Sequence, residues 1–288
     1  MNHRNFGKLV AALRKSWRQP YTQAGLARQT GLTEAVIGKV ERGEKLSADP
    51  DLLLRLAQAF SLSTRERREF FLAAIGLEED DLPAQRAADD KTLTNLLEVL
   101  RQTALPAFIV DAYDDILAAN HIILSLFDFS AGLRQAAPGL IGGYNVLRFV
   151  FSSRSLFSQQ LGGGQSAYLR QSIAFFRAIS LPVRATPYYR RLVECFLKES
   201  EMAAFQTFFY EPYPQDDFSF EGIRFDLQHP TLGALTFFSP PIFPVATSQG
   251  NLTLIAYLPA SAATLQACAR LTEASGPGFV RLAACPQK

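Results

Sequence analysis

The chain has few of the residues that build metal centres, disulfide frameworks and membrane spans. Its 288 residues include three Cys and three His, and none of them form a C-x-x-C pair or stand at metal-ligand spacing. So little cysteine is typical of a reducing compartment. The sequence also has no run of about 18 uncharged apolar residues and no signal-peptide pattern. It therefore predicts a cytoplasmic protein with no membrane contact and no metal site.

Signatures of catalysis are missing as well. The run Gly162 to Gly164 is not followed by the Lys-Ser/Thr of a phosphate-binding loop. No nucleophile elbow and no histidine–carboxylate spacing is present, and Lys198 near Ser200 does not have the setting of a self-cleaving Ser–Lys pair. The sequence predicts that the protein is not an enzyme and needs no cofactor.

Charge and aromatic residues are distributed unevenly along the chain. Residues 1–77 carry 13 Lys and Arg against seven Asp and Glu, whereas residues 78–90 carry six acids and one Arg. Four of the 23 Phe precede residue 78 and nineteen follow residue 90. A basic N-terminal part favours a nucleic-acid partner. We predict a DNA-binding domain over 1–77, an acidic linker over 78–91 and a larger domain over 92–288. The linker is either a solvated tether or a competitor of DNA for the basic surface.

Five helices are predicted within the first 77 residues. Apolar residues recur at helical spacing in each of them. The signals that start or end these helices are Thr22, Gly31, Thr33, Gly43 and Pro50. The second and third helices are short, are separated by a sharp turn at Gly31 and bury little by themselves. Because the flanking helices hold them, the third helix can present its outer face to a DNA groove.

The pattern T-Q-x-x-L-A-x-x-x-G-L-T-x-x-x-I-x-x-x-E-R-G, which begins at Thr22, closely resembles the Xre/Cro family of helix-turn-helix domains over about residues 6–62. The resemblance implies a double-stranded DNA operator and a homodimer on two half-sites about one turn apart. The DNA-binding candidates are Thr22, Gln23, Thr33, Glu34, Ala35, Lys39, Arg42 and Lys45.

The roles of these candidates follow from the resemblance and from their chemistry. Gln23 is expected at a phosphate. Glu34, Ala35 and Lys39 are expected at base edges, where they suit cytosine N4, a thymine methyl and guanine O6/N7. Arg42 and Lys45 are expected to hold the DNA backbone. Glu41 is expected to be structural.

The larger domain alternates strand and helix patterns. Strands are predicted over 107–112, 116–119, 218–227, 234–238 and 252–258, and helices over 166–180, 187–198 and 261–271. The alternation skips at Gly222, which suggests a bulge. The layout predicts an α+β domain with an antiparallel sheet of about five strands and helices packed on it.

Three motifs of this domain resemble the MmyB-like ligand-binding domain. They are LPAFIVDAYDDILAAN, which ends at Asn120, then Asn145-x-x-Arg148-x-x-Phe151, and HPTLGALTF at 229–237. That family attaches a PAS-like sensor to the same type of helix-turn-helix, and the resemblance covers most of residues 93–272. It implies a bacterial, ligand-responsive transcription regulator. The implied effector is a small apolar molecule, with a fatty acid as the leading candidate.

Candidate ligand-binding residues are one cation and seven apolar side chains. Arg148 is the candidate anchor for a carboxylate, although a structural salt bridge is an equally good interpretation. The candidate walls are Phe151, Ile173, Phe176, Ile179, Phe196, Phe205 and Phe209. Each Phe could equally belong to an ordinary core. The alternative for the whole domain is a dimerisation or protein-interaction module without a ligand.

Overall fold

A computed structural model describes residues 3–16, 20–44, 49–75, 91–127, 137–162, 165–211, 222–240, 245–247 and 250–282. Thirteen α-helices and eight β-strands lie within these ranges. The first five helices form an all-helical N-terminal domain, and the remaining elements form a C-terminal domain of helices and antiparallel sheets. The predicted fold class is confirmed.

The N-terminal domain has the predicted helices with the predicted caps. They are α1 (His3–Ser16), α2 (Gln23–Thr30), α3 (Glu34–Arg42), α4 (Pro50–Ala59) and α5 (Thr64–Ile75). The Thr22 hydroxyl accepts a hydrogen bond from the Gly25 amide at the start of α2, and the Thr33 hydroxyl accepts one from Val36 at the start of α3. Gly31 and Gly43 end these two helices in the left-handed conformation.

Helix α1 crosses α3 at very short range. A Cβ atom on Gly7 would lie 2.6 Å from the carbonyl oxygens of Val40 and Glu41. Glycine at this position lets the backbones of α1 and α3 come into contact. Both helices contribute to the hydrophobic cluster in which Leu26 and Ile37 are fully buried.

Within the described residues, the C-terminal domain extends from α6 to a short final strand. Its helices are α6 (Lys91–Gln102), α7 (His121–Leu126), α8 (Val146–Phe151), α9 (Leu156–Gln160), α10 (Gln165–Ile179), α11 (Pro187–Lys198), α12 (Ala203–Phe209) and α13 (Ala262–Ser275). Its strands are β1 (Ala107–Val110), β2 (Ile116–Asn120), β3 (Ile223–His229), β4 (Gly233–Ser239), β5 (Val245–Thr247), β6 (Gly250–Ala256), β7 (Leu258–Pro259) and β8 (Phe279–Arg281). Asn120 and Asn145 cap α7 and α8 through their side-chain oxygens.

The strands form two sheets, where the sequence predicts one. A five-stranded sheet has the order β5-β6-β1-β2-β8, and a three-stranded sheet has the order β3-β4-β7. The segment predicted as one strand over 252–258 is divided at Tyr257, because β6 pairs with β1 and β7 pairs with β4. The Tyr257 amide still donates to the Pro106 carbonyl at 2.9 Å, and beyond it the chain turns to the second sheet.

Gly222, where the alternation of apolar and polar residues is interrupted, does not form the predicted β-bulge. Strand β3 begins at Ile223 and its register with β4 is regular. A Cβ on Gly222 would lie 2.1 Å from the Ser239 carbonyl oxygen, so glycine permits a close backbone approach there. Residues 218–221 of the predicted strand, and residues 78–90 of the predicted linker, lie outside the described residues.

Two clusters fill the C-terminal domain. The larger one joins the sheets to α8–α12 and is rich in Phe and Tyr. The smaller one lies where Leu93, Leu97 and Leu100 of α6 meet Ile109 and Leu252 of the five-stranded sheet. The N-terminal domain contacts the larger body through α5, which lies against α10 and the 3₁₀ turn Leu181–Val183.

Candidate DNA-binding surface and ligand-binding interior

The outer face of α3 carries the residues predicted to contact bases. Glu34, Ala35, Lys39 and Arg42 are all exposed, whereas Ile37 on the opposite side has no exposed surface. Helix α3 is short because it begins after the cap Thr33 and ends at Gly43, and its buried residues Ile37, Gly38 and Val40 lie on its inner side. The predicted DNA face is thus a continuous exposed surface. Lys45 lies outside the described residues.

Gln23 and Glu41 fix the angle between the helices of this motif. Glu41 accepts hydrogen bonds from Arg14 Nε at 2.6 Å and Nη2 at 3.0 Å, and from Gln23 Nε2 at 2.7 Å. Burial opposes the charge of Glu41, but the bonds from Arg14 and Gln23 outweigh it and lower the pKa of the carboxyl. Glu41 has the structural role that the sequence predicts. The phosphate contact of Gln23 stays a prediction.

Arg42 is available for a phosphate. Its Nε lies 2.5 Å from Glu44 Oε1, and both side chains are exposed. Exposed ion pairs of this kind contribute little to stability, so the pair with Glu44 holds Arg42 only weakly, and the phosphate contact of Arg42 stays a prediction.

The predicted ligand walls lie inside the C-terminal domain. The cluster that joins the sheets to α8–α12 contains Phe151, Ile173, Phe176, Phe196, Phe205 and Phe209, whereas Ile179 is half-buried and outside it. Phe205 is the centre of one aromatic group, with its ring 5.7 Å from Phe151, 5.5 Å from Phe196 and 5.0 Å from Phe209. These residues pack on one another, and their contact with a ligand stays a prediction.

Arg148 forms a structural salt bridge, which the sequence analysis gave as the alternative to a ligand anchor. Its Nη1 and Nη2 donate to the two carboxylate oxygens of Glu199 at 2.6 and 2.9 Å. Its Nε and Nη2 also donate to the carbonyls of Gly142 and Ile141, at 3.0 and 3.2 Å. A guanidinium with these partners holds α8 against α11 and is poorly suited to anchor a carboxylate.

A pair of tyrosine hydroxyls lies deep in the same cluster. Tyr168 Oη and Tyr257 Oη are 2.9 Å apart and buried. The Phe225 ring lies 4.6 Å from the Tyr168 ring and 4.9 Å from the Tyr257 ring. The hydroxyl pair is therefore a polar group surrounded by aromatic rings.

Asp114 is another buried polar group of the C-terminal domain. It lies in the turn between β1 and β2 at a φ of 64°, and its side chain is 1% exposed. Its Oδ1 has no hydrogen-bond partner among the described residues. Burial, together with the charges of Asp111 and Asp115, raises the pKa of Asp114 well above its usual value. Burial is also the main cause that raises the pKa of the Tyr168 and Tyr257 hydroxyls.

The comparisons with protein families agree with both halves of this geometry. Residues 90–271, more than half of the chain, match the MmyB-like transcription regulator ligand binding domain. The chain belongs to this family. Residues 10–67 match the helix-turn-helix family, so the protein is a DNA-binding transcription regulator with a ligand-binding domain. No match was found among curated proteins.

In the described ranges, no helix combines the length and the apolar character that crossing a membrane requires. Over the same ranges, no group of three or more His, Cys, Asp or Glu side chains is arranged to hold a metal ion.

Sequence analysis missed several residues that the regulator brings together. The sequence analysis assigns no role to Asp114, Tyr168 or Tyr257. Glu66 was missed as well, although Ser63-x-x-Glu66 has the spacing of a helix capping box. The capping pattern could have been found from the sequence, whereas the partners of these side chains come from distant segments.

Replacing Arg148 by Lys is expected to lower stability without a selective loss of ligand affinity. Lysine keeps the charge but cannot form the two-pronged bond to Glu199, so the expected cost is about 2 kcal/mol. Urea unfolding measures it. The control is Arg154→Lys, since Arg154 is 85% exposed and pairs with Glu201 at the surface. Loss of ligand affinity at unchanged stability would restore the anchor role.

Proposed function

We propose that the protein is a sequence-specific regulator whose ligand-binding domain senses a fatty acid and which binds its operator as a homodimer in the bacterial cytoplasm. The observation that carries the ligand proposal is a buried Asp114 oxygen with no partner among the described residues, in the same domain as the buried tyrosine hydroxyl pair. Ligand sites are mostly apolar, with a few polar groups that set the orientation of the ligand.

The chemistry of this polar end suits an acid or alcohol head group. In this proposal the Asp114 carboxyl is protonated and donates one hydrogen bond, and the Tyr168–Tyr257 pair, in which one hydroxyl donates to the other, has one hydroxyl proton left to donate. The surrounding Phe rings suit an aliphatic chain. Two donors of this kind bind a carboxyl group by hydrogen bonding, and Arg148 is not needed because Glu199 already engages it.

Hexadecanoic acid is the probe for this site. Tyr257→Phe keeps the ring and removes the hydroxyl, so the acid is expected to bind about tenfold more weakly, the value of one hydrogen bond. Asp114→Asn retains a neutral donor and is expected to stay near wild-type affinity, whereas Asp114→Leu is expected to lose affinity. Titration calorimetry with the full-length protein gives these affinities.

The matched control for the tyrosine change is Tyr113→Phe. The Tyr113 hydroxyl donates to Thr186 Oγ1 at 3.1 Å, and its removal should leave acid affinity unchanged. Failure of the wild-type protein to bind the acid, together with no lipid in the mass spectrum of the purified protein, would favour the alternative of a dimerisation or protein-interaction module.

The DNA-binding proposal is tested at Lys39 and Arg42. A duplex selected from a random pool by the full-length protein serves as operator. Lys39→Ala is expected to weaken binding about tenfold and to relax base preference at one position, because a lost base contact costs about 1–3 kcal/mol. Arg42→Ala is expected to weaken all sequences alike and to lower the salt slope by about one.

The control for both changes is Lys198→Ala. Lys198 is exposed on the ligand-binding domain and pairs with Glu194, so this variant loses one positive charge outside the DNA-binding domain. Gel shifts over a range of salt concentrations compare the variants. A Lys39/Arg42 double variant with wild-type affinity would refute the assignment of α3 as the recognition helix.

A further inference from the structure

The two domains of this regulator meet at a buried cluster of three charged side chains. Glu66 Oε1 accepts from Arg177 Nε at 3.1 Å and from Arg184 Nη2 at 2.6 Å, and Glu66 Oε2 lies 3.4 Å from Arg177 Nη2. The side chains are 1%, 8% and 7% exposed for Glu66, Arg177 and Arg184. Glu66 belongs to the DNA-binding domain, whereas both arginines belong to the ligand-binding domain.

Glu66 also holds the first turn of α5. Its Oε2 accepts a hydrogen bond from the Ser63 amide at 2.9 Å, and the Ser63 hydroxyl accepts one from the Glu66 amide at 3.3 Å. This is a capping box, which satisfies two amides that the helix itself cannot bond. One carboxylate thus serves both the start of α5 and the contact between the domains.

Arg177 and Arg184 lie on a segment that packs against the cores of both domains. Tyr168, Ile173 and Phe176 of α10 are buried in the core of the ligand-binding domain. Leu181, four residues beyond Arg177, is 1% exposed and belongs to the hydrophobic cluster of the DNA-binding domain. A change in the core of the ligand-binding domain that displaces α10 therefore also displaces Arg177 and Leu181, which are packed against the DNA-binding domain.

Packed contacts continue from α5 to the recognition helix. The Phe70 ring of α5 lies 5.0 Å from the Phe6 ring of α1. Helix α1 touches α3 at Gly7, and its Arg14 holds Glu41 of α3. Tightly packed elements shift between discrete arrangements more readily than they deform continuously.

We propose that the Glu66–Arg177–Arg184 cluster couples the two domains, so that a change in the ligand-binding core reaches α3 through α10 and α5. This inference rests on the proposed function for the nature of the effector, but the coupling itself can be measured with DNA alone, because coupling between two sites is reciprocal. A buried ion pair suits such a switch, since separating it leaves charges that must be paired or solvated.

The experiment compares the full-length protein with Glu66→Gln and Glu211→Gln. Glu211 forms an ion pair with Arg170 on α10, at 3.0 Å and partly exposed, so its replacement alters the same helix at a site outside the cluster. Amide hydrogen exchange of residues 165–179 is measured with and without the selected DNA duplex. DNA is expected to change this exchange in the wild type and in Glu211→Gln, but not in Glu66→Gln.

A second measurement uses hexadecanoic acid. The acid is expected to change operator affinity of the wild type by about fivefold or more, and of Glu66→Gln much less. If Glu66→Gln does not fold, Arg184→Gln replaces it, because the Glu66–Arg177 bonds then remain.

The outcomes separate this inference from the proposed function. No DNA-induced change in α10 of the wild type, or an equal change in Glu66→Gln, would overturn the coupling. An acid that leaves operator affinity unchanged, with the exchange result as expected, would overturn fatty-acid sensing and leave the coupling intact.

Discussion

Gly7→Ala is expected to destabilise the DNA-binding domain by about 3 kcal/mol, at the upper end of the usual range for overpacking. The added Cβ would lie 2.6 Å from two backbone carbonyl oxygens of α3, and backbone atoms cannot turn away as a side chain can. Helices α1 and α3 must therefore separate, which weakens the Arg14–Glu41 bond and the packing of Ile37. The higher helix propensity of alanine, about 1 kcal/mol, does not offset this. Urea unfolding measures the loss, and operator affinity is expected to fall with it.

Gly38→Ala is the matched control for this prediction. Gly38 is also a buried helical glycine, but the nearest atom to an added Cβ is Arg42 Nη1 at 3.1 Å, the end of a flexible side chain. The same substitution is expected to be neutral or to stabilise by up to about 1 kcal/mol. Equal stability of the two variants would show that α1 and α3 do not approach as closely as described.

Glu66→Gln is expected to cost about 3 kcal/mol of unfolding free energy at pH 7 and to remove a large acid-dependent component of stability. Burial alone would raise the pKa of Glu66, but the charges of Arg177 and Arg184, with their hydrogen bonds and that of Ser63, lower it from 4.5 to about 2. A carboxyl whose folded pKa is depressed stabilises the protein above its unfolded pKa. That stabilisation is lost as the pH falls from about 4.5 toward 2, and about 2 kcal/mol of it is gone at pH 3.

The measurement is urea unfolding of both proteins from pH 7 to pH 3. The difference between wild type and Glu66→Gln is expected to shrink toward low pH, because the wild type loses the contribution that the variant never had. Glu194→Gln is the control, since Glu194 pairs with Lys198 at the surface and its loss should have little effect. A difference that stays constant with pH would mean that Glu66 is not held as an ion by the two arginines.

The helix-turn-helix was the most predictable part of the fold. Its helices are bounded by local signals, such as the hydroxyls of Thr22 and Thr33 and the left-handed glycines Gly31 and Gly43. These signals act over three or four residues, so they can be recognised without knowledge of the partner segments. The exposed face of α3 followed from the same local periodicity.

The sheets were less predictable, because strand pairing is a long-range property. Alternation located β1, β2, β4 and most of β3, but it contained no sign that the chain changes sheets at Tyr257. The residues of a strand do not specify its partner strand, which depends on the sheet edge that the rest of the fold places beside it. The interior was predicted only in part for the same reason: Phe-rich segments indicated an aromatic core, but not which polar groups it encloses.

Local signals in the sequence determined the DNA-binding helices, the α+β character of the second domain and the residues on the outer face of α3, because these depend on neighbours within one or two turns. Tertiary structure alone decided that Arg148 is held by Glu199, that Asp114 is buried with an oxygen that has no partner among the described residues, and that Glu66 meets two arginines more than 100 residues away. The physical reason is that the charge state and partners of a buried group depend on which distant segments exclude water from it.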